Sequence, residues 1–153
     1  MSSDTTLIVT DFPSLGPDGV YDILALRSDV FVVEQECPYL DMDNVDRESG
    51  TLHYRALQGR ILVSYLRTFP QPGDPASLHI GRVCTHREHR HEKLASMLMN
   101  TVLDRNPRRT MHLNAQAYLE EWYGSFGFVR SGEPFDEIGI LHVPMVRKIP
   151  KTS

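Results

Sequence analysis

The hydrophobic pattern changes period several times along the chain, and each change predicts an element. Leu7 to Thr10 is a short β-like run, closed by the Gly- and Pro-rich loop PSLGPDG at Pro13 to Gly19. From Val20 the apolar positions Ile23, Leu24 and Phe31 fit one buried helical face, predicting a helix to about Glu34 that does not continue past Pro38. Thr51 to Leu57 and Ile61 to Phe69 predict two strands joined by a tight hairpin at Gln58-Gly59-Arg60, with Pro70 to Pro75 expected to end the pairing. His79 to Thr85 predicts the next strand. Beyond a basic turn, Leu94, Met97, Leu98, Thr101 and Val102 follow the spacing of an amphipathic helix, which Asn106-Pro107 stops. Met111 to Asn114 reads as strand. Tyr118, Leu119, Trp122, Tyr123 and Phe126 read as the stripe of a helix ended by Gly127, and Ile138 to Val146 as one or two final strands. This order predicts an α/β (α+β) fold, one mixed sheet flanked by helices.

The most informative stretch is Ile80 to Met99, IGRVCTHREHRHEKLASMLM, where a strand runs through a basic turn into a helix. Amides at a helix start point outward unpaired and the macrodipole adds positive charge, so such a junction holds an anion. Arg82, Arg87, Arg90 and Lys93 sit at or before that start, offset only by Glu88 and Glu92. Cations there oppose the dipole unless an anion is bound. The backbone from Arg90 through His91, Glu92, Lys93 and Leu94 to Ala95 is therefore the expected grip on a phosphorylated ligand.

Composition narrows the classes. A chain of 153 residues, 41% hydrophobic and 24% charged, has the size and mixture of one globular domain. A net charge of −4 argues against general binding to nucleic acid or to a membrane surface. Cys37 and Cys84 lie in separate segments and form no CxxC pair, so reduced thiols in a cytosol are expected. No segment approaches the roughly 18 apolar residues of a membrane span, and the N-terminus lacks a leader pattern, so a soluble, cytoplasmic protein is expected. His86, His89 and His91 are close together but form no HExxH and complete no ligand set, so no metal is expected. Asp29, Glu34, Glu36, Asp41, Asp43, Asp46 and Glu48 have only Arg47 as counter-charge in their own region, which suits solvent or a cationic ligand.

Three segments, Leu26 to Asp43, Ile80 to Met99 and Ala115 to Phe128, resemble the GCN5-related N-acetyltransferase (GNAT) superfamily and its ElaA-like group. Arg90, Lys93 and Ala95 stand at the named positions of its Arg/Gln-x-x-Gly-x-Gly/Ala signature, with Lys93 in place of the central glycine and His91 where many members have glycine. Tyr123 to Phe128 reads Tyr-x-x-x-Gly-Phe, and Gln116 stands where asparagine is commoner. The resemblance implies a single GNAT-type domain over residues 1–153, with a largely antiparallel sheet. It also implies acetyl-CoA as co-substrate, an amine acceptor and, because members often pair, a homodimer. Val83, Cys84 and Thr85 would end the strand that pairs with the pantetheine arm and aim an N–H at the thioester oxygen, with the Gln116 amide on the cofactor side.

For the chemistry, Tyr123 is the expected general acid for the departing thiolate, against its bland reading as a core tyrosine. Glu34 is the first candidate base, with Asp41, Asp43 and His142 as alternatives on the substrate side; solvated charges are the bland reading of the carboxylates. Cys84 raises the idea of an acyl-enzyme, although a lone cysteine on an apolar strand is more often a packed thiol. The first functional reading is N-acetyl transfer to a primary amine of a small molecule or peptide by direct attack in a ternary complex. A second is acyl-homoserine-lactone synthesis, whose enzymes the first half resembles through Arg27, Phe31, Glu34, Asp43, Asp46 and Arg67. A third is a non-catalytic acyl-CoA sensor.

Overall fold

Two tight turns frame the first half of the sheet in the computed structural model, which describes residues 4–149. Strand β1 (Thr5–Thr10) pairs antiparallel with β2 (Leu52–Gln58), which reverses at Gly59-Arg60 into β3 (Ile61–Gln71), as the hairpin signal predicts. The next turn departs from expectation. Pro70 does not end the pairing but stays in register with Leu78, and the chain reverses at Pro72-Gly73 into β4 (Asp74–Thr85). Leu78 sends its N–H to the Thr110 carbonyl on the far side, so Pro70 and Leu78 form a non-hydrogen-bonded pair and no carbonyl of β4 is left without a donor by the missing N–H of Pro70. Pro72 presets its own φ and Gly73 takes φ +81°, which together make the reversal.

Helix α1 (Gly16–Arg27) begins inside the stretch expected to be loop, because Pro17 suits a first helical turn. Winding does reach Glu34, as a wide π-helical turn over Ser28–Glu34. Helix α2 (Leu94–Arg105) leads to β5 (Met111–Gln116). The last apolar stripe forms less helix than its spacing suggests: a tight turn at Ala117–Leu119 and then α3 (Glu120–Gly124), with Tyr118 left exposed. Three strands follow, β6 (Val129–Arg130), β7 (Phe135–Glu137) and β8 (Ile140–Arg147); β8 is the strand expected over Ile138 to Val146, and the short β6 and β7 precede that range.

The sheet order is β1-β2-β3-β4-β5-β8-β6, with β7 also on β8, and only β4 and β5 run parallel. Its two faces carry different helices. On one, Ile23, Leu26 and Val30 of the first helical segment pack on Leu62, Tyr65 and Cys84. On the other, Leu98, Met99 and Val102 of α2 and Tyr123 of α3 pack with Tyr54, Val63, Leu66 and Met111. Among the described residues no helix is long and apolar enough to cross a membrane.

One irregularity creates the site. Against β3, β4 runs from Gly81 opposite Arg67 to Cys84 opposite Tyr65, one residue too many, and Arg82 absorbs it with φ +53°. A bulge bends its strand. Accordingly β4 meets β5 only at Leu78↔Met111 and His79↔His112, and beyond them the two strands diverge.

Candidate active site

A cavity of about 920 Å³ fills the gap between the diverging strands. His86 donates its N–H to the Val63 carbonyl at 2.8 Å, so ladder alternation turns the Cys84 N–H toward β3 and the Thr85 N–H away from it, toward the gap. At the edge of the same cavity, α2 starts without a side-chain cap, and its first intrahelical bond runs from the Met97 N–H to the Lys93 carbonyl. The amides of Leu94, Ala95 and Ser96 are thus open. Lys93 sits at φ +60° and ψ +30°, the left-handed conformation that glycine adopts freely. Its cost for a residue with a Cβ is about 1–2 kcal/mol. The signature's central glycine is therefore a backbone requirement, which Lys93 meets under strain.

The arginines of the basic turn are not free cations. Arg87 meets Asp29 at 3.1 Å, and Arg90 holds both carboxylate oxygens of Glu34 at 2.5 Å while its Nε donates to the Thr85 carbonyl at 3.1 Å. These partners, and not Glu88 and Glu92 alone, offset the turn. Lys93 makes no ion pair among the described residues. The Arg90 guanidinium holds the Glu34 carboxyl below its ordinary value, which makes it a weaker proton acceptor.

Nor is the acidic loop free. Arg27 joins Asp41 and Asp46 at 2.8 and 2.6 Å, Arg67 joins Asp46 and Asp43 at 2.9 and 2.6 Å, and Arg82 joins Asp43 and Asp41 at 3.4 and 2.8 Å. The six side chains close a ring in which every aspartate meets two arginines. Arg47, the one counter-charge within the acidic region, holds Asn44 instead, and Asp41, Asp43 and Asp46 are paired by arginines from outside that region, so the charge of these three is taken up within the fold rather than by solvent or a cationic ligand. Arg27 is fully buried and Asp41 nearly so. Burial raises the Asp43 carboxyl, but its hydrogen bonds to Arg67 outweigh that and hold it at about 2.

A strap crosses the gap on the α1 face. From the π-helical turn it binds Arg90 through Glu34, exchanges amide hydrogen bonds between Gln35 and Gln116 at 3.2 and 3.3 Å, and reaches the β7–β8 turn, where the Cys37 Sγ donates to the Ile138 carbonyl at 3.4 Å. His142 lies directly opposite Gln116, so it shares this face. Tyr123 comes from the other face; burial leaves it 6% exposed and raises its hydroxyl above the ordinary tyrosine value. The Cys84 thiol is buried toward α1 and pushed up to about 12 by that burial.

All the expected site residues border this one cavity except Asp41, His91 and Glu92. Asp41 belongs to the ring, His91 is exposed, and Glu92 is taken by Gln58 and His89. The sequence reading missed Gln35, Ser96 and Glu137; for Ser96 the helical phase after Lys93 was the available signal. Among the described residues, no group of three or more His, Cys, Asp or Glu is placed to hold a metal ion.

Comparison with known proteins agrees with this frame. The family model described as an acetyltransferase (GNAT) domain matches residues 16–149. Protein ElaA of Escherichia coli is 37% identical over 134 residues, covering 85% of this chain and 88% of ElaA. The crystal structure of E. coli ElaA aligns with a TM-score of 0.87 at 34% identity, over 95% of this chain and 100% of that one. An acyl-CoA N-acyltransferase from Pseudomonas aeruginosa aligns at 0.85 and 34% identity, over 93% and 99% of the two chains. A CoA-dependent acyl-homoserine lactone synthase, BjaI, shares the fold alone, with a TM-score of 0.80 at 19% identity over 97% and 85%. The chain belongs to the GNAT acetyltransferase family and, within it, groups with ElaA. It is an acyltransferase.

Proposed function

We propose that the protein transfers the acetyl group of acetyl-CoA to a primary amine by direct attack within a ternary complex. The observation that carries this reading is the divergence of β4 from β5 at the Arg82 bulge. It leaves the Thr85 N–H facing a gap that no neighbouring strand fills, near the open amides of Leu94, Ala95 and Ser96. An extended pantetheine arm fits as the missing β-partner of Val83 to Thr85, with its pyrophosphate on the α2 amides and beside the Lys93 ammonium. The Thr85 N–H, rather than that of Cys84, is then the backbone donor for the charge that develops on the thioester oxygen.

Tyr123 reaches the cavity from the face opposite the strap. A hydroxyl kept neutral by burial retains its proton until a thiolate forms beside it, which suits a general acid. The Cys84 thiol, neutral at ordinary pH and packed against α1, makes a poor nucleophile, which favours direct transfer over an acyl-enzyme. Glu34 is tied to Arg90 and is a poor base while that pair holds. The buried free thiols of Cys37 and Cys84 suit a reducing compartment such as the cytosol.

The test is thiol release from acetyl-CoA with primary-amine acceptors, comparing the wild type with Tyr123→Phe, alongside calorimetry of acetyl-CoA binding. The reading predicts that Tyr123→Phe binds acetyl-CoA as the wild type does and loses about 100-fold in kcat. Wild-type binding with no turnover of any amine would point to a sensor instead.

A further inference from the structure

The strap face of the cavity separates one group from its neighbours. Three carboxylates border the cavity, those of Glu34, Asp43 and Glu137. Arg90 holds the first, and Arg67 with Arg82 the second. Glu137 has no arginine or lysine partner among the described residues; its neighbour is the Nε2 of His142 at 3.8 Å.

The geometry of His142 fixes what that nitrogen presents. Its Nδ1 lies 2.8 Å from the Ile140 carbonyl, and a carbonyl oxygen only accepts, so Nδ1 carries the proton. In the neutral ring Nε2 therefore offers a lone pair. Stacking on Phe135, with ring centroids 5.7 Å apart, holds the imidazole in that orientation. The height is also right. Counted along the parallel pair from Leu78↔Met111, Gln116 comes level with Val83 and, past the extra residue of the bulge, with Cys84; His142 is the register partner of Gln116. The imidazole thus stands at the level where β4 ends, on the face opposite Tyr123.

Beside the Gln35 and Gln116 amides, this side also carries apolar side chains. Phe31, Tyr39 and Leu40 come from the strap and Ile138 from the β7–β8 turn, with Leu40 76% and Ile138 53% exposed at the rim. We infer that His142 and Glu137 form the amine site of the acceptor, and that the acceptor is a primary amine carried on an apolar body; this rests on the acetyl-transfer reading above. Glu137 attracts the ammonium, and the Nε2 of His142 takes one proton from it. The neutral nitrogen bonds to the thioester carbon and the carbon–sulfur bond breaks. The sulfur takes its proton from Tyr123, and the nitrogen sheds its second proton. Proton exchange with solvent restores both side chains, one proton being released per turnover. Among the described residues the other two carboxylates of the cavity are already held by arginines, Glu34 by Arg90 and Asp43 by Arg67 and Arg82, so a polycation finds no second unpaired carboxylate there.

The test uses the intact protein, acetyl-CoA and four amines: n-hexylamine, 2-phenylethylamine, spermidine and Nα-acetyllysine. Thiol release is expected with the first two in preference to the others. His142→Asn is expected to lower kcat about 100-fold with acetyl-CoA binding unchanged. Added imidazole should restore part of the rate to His142→Ala, which a purely structural defect would not allow. Glu137→Gln should raise the KM for the amine several-fold and leave acetyl-CoA binding as it was. Turnover confined to spermidine or Nα-acetyllysine, or wild-type kcat in His142→Asn, overturns the inference and leaves acetyl transfer standing. Absence of release with all four amines from a protein that binds acetyl-CoA overturns both.

Discussion

Arg82, the residue that opens the gap, also anchors Asp41: its Nε donates to the Asp41 carboxylate at 2.8 Å and its Nη2 to the Asp41 carbonyl at 3.0 Å. The bulge in β4 and the loop that follows the strap are therefore one mechanical unit. Asp41 also accepts from the Nε of Arg27 at 2.8 Å and from the Tyr39 hydroxyl at 3.0 Å. Removing one partner of a buried ion pair leaves a charge without compensation, at a cost of about 3–5 kcal/mol. Asp41→Ala should lower stability by that order in urea unfolding. Asp41→Asn, which keeps the shape and part of the hydrogen bonding, should lower it less.

The same ring predicts an acid limb. Burial raises the Asp43 and Asp46 carboxyls, but hydrogen bonds and charge from Arg67 and Arg27 respectively outweigh it, leaving both depressed and Asp43 at about 2. A carboxyl depressed in the folded state contributes stability that is complete above its unfolded value, about 3.9, and is lost as pH falls through the folded value. The urea midpoint should fall steeply between about pH 4 and about pH 2. In Asp43→Asn the midpoint should be lower at neutral pH and the acid limb shallower.

Lys93 combines a strained backbone with a charge that makes no ion pair among the described residues. Lys93→Gly removes the strain and should raise stability by about 1 kcal/mol, after the greater freedom of glycine in the unfolded chain takes back part of the gain. Acetyl-CoA binding should weaken as the charge is lost. Lys93→Ala loses the same charge and keeps the left-handed conformation, so it should weaken binding with no gain in stability.

Local signals reached the parts of this molecule that local physics decides. The hairpin at Gln58-Gly59-Arg60, the amphipathic phase of α2 and the uncapped helix start after Arg90 each depend on residues close in the chain. Composition misled where one residue outweighed its neighbours: Pro17 starts α1 inside a stretch that reads as loop, and Pro70 stays in its strand because its N–H side faces no ladder. The resemblance to acyl-homoserine-lactone synthases pointed to Arg27, Asp43, Asp46 and Arg67, but the closure of the ion-pair ring could not be read from the sequence. Asp41 meets Arg82 forty-one positions away, and nothing in an acidic loop says which arginines will fold onto it. Gln35 meeting Gln116 and Glu137 meeting His142 are likewise products of strand order and register. The left-handed turn at Lys93 was foreshadowed only by the glycine that the family signature has there.

The central claim is that acetyl-CoA lies in the β4–β5 gap with its pyrophosphate on α2. Amide hydrogen exchange, followed residue by residue with and without acetyl-CoA, tests it most directly. Thr85, Leu94, Ala95 and Ser96, whose N–H groups face the gap or start the helix without an acceptor, should slow on binding, while the Cys84 amide, already paired toward β3, should change little. Acetyl-CoA binding that leaves those four amides exchanging as before would contradict the account.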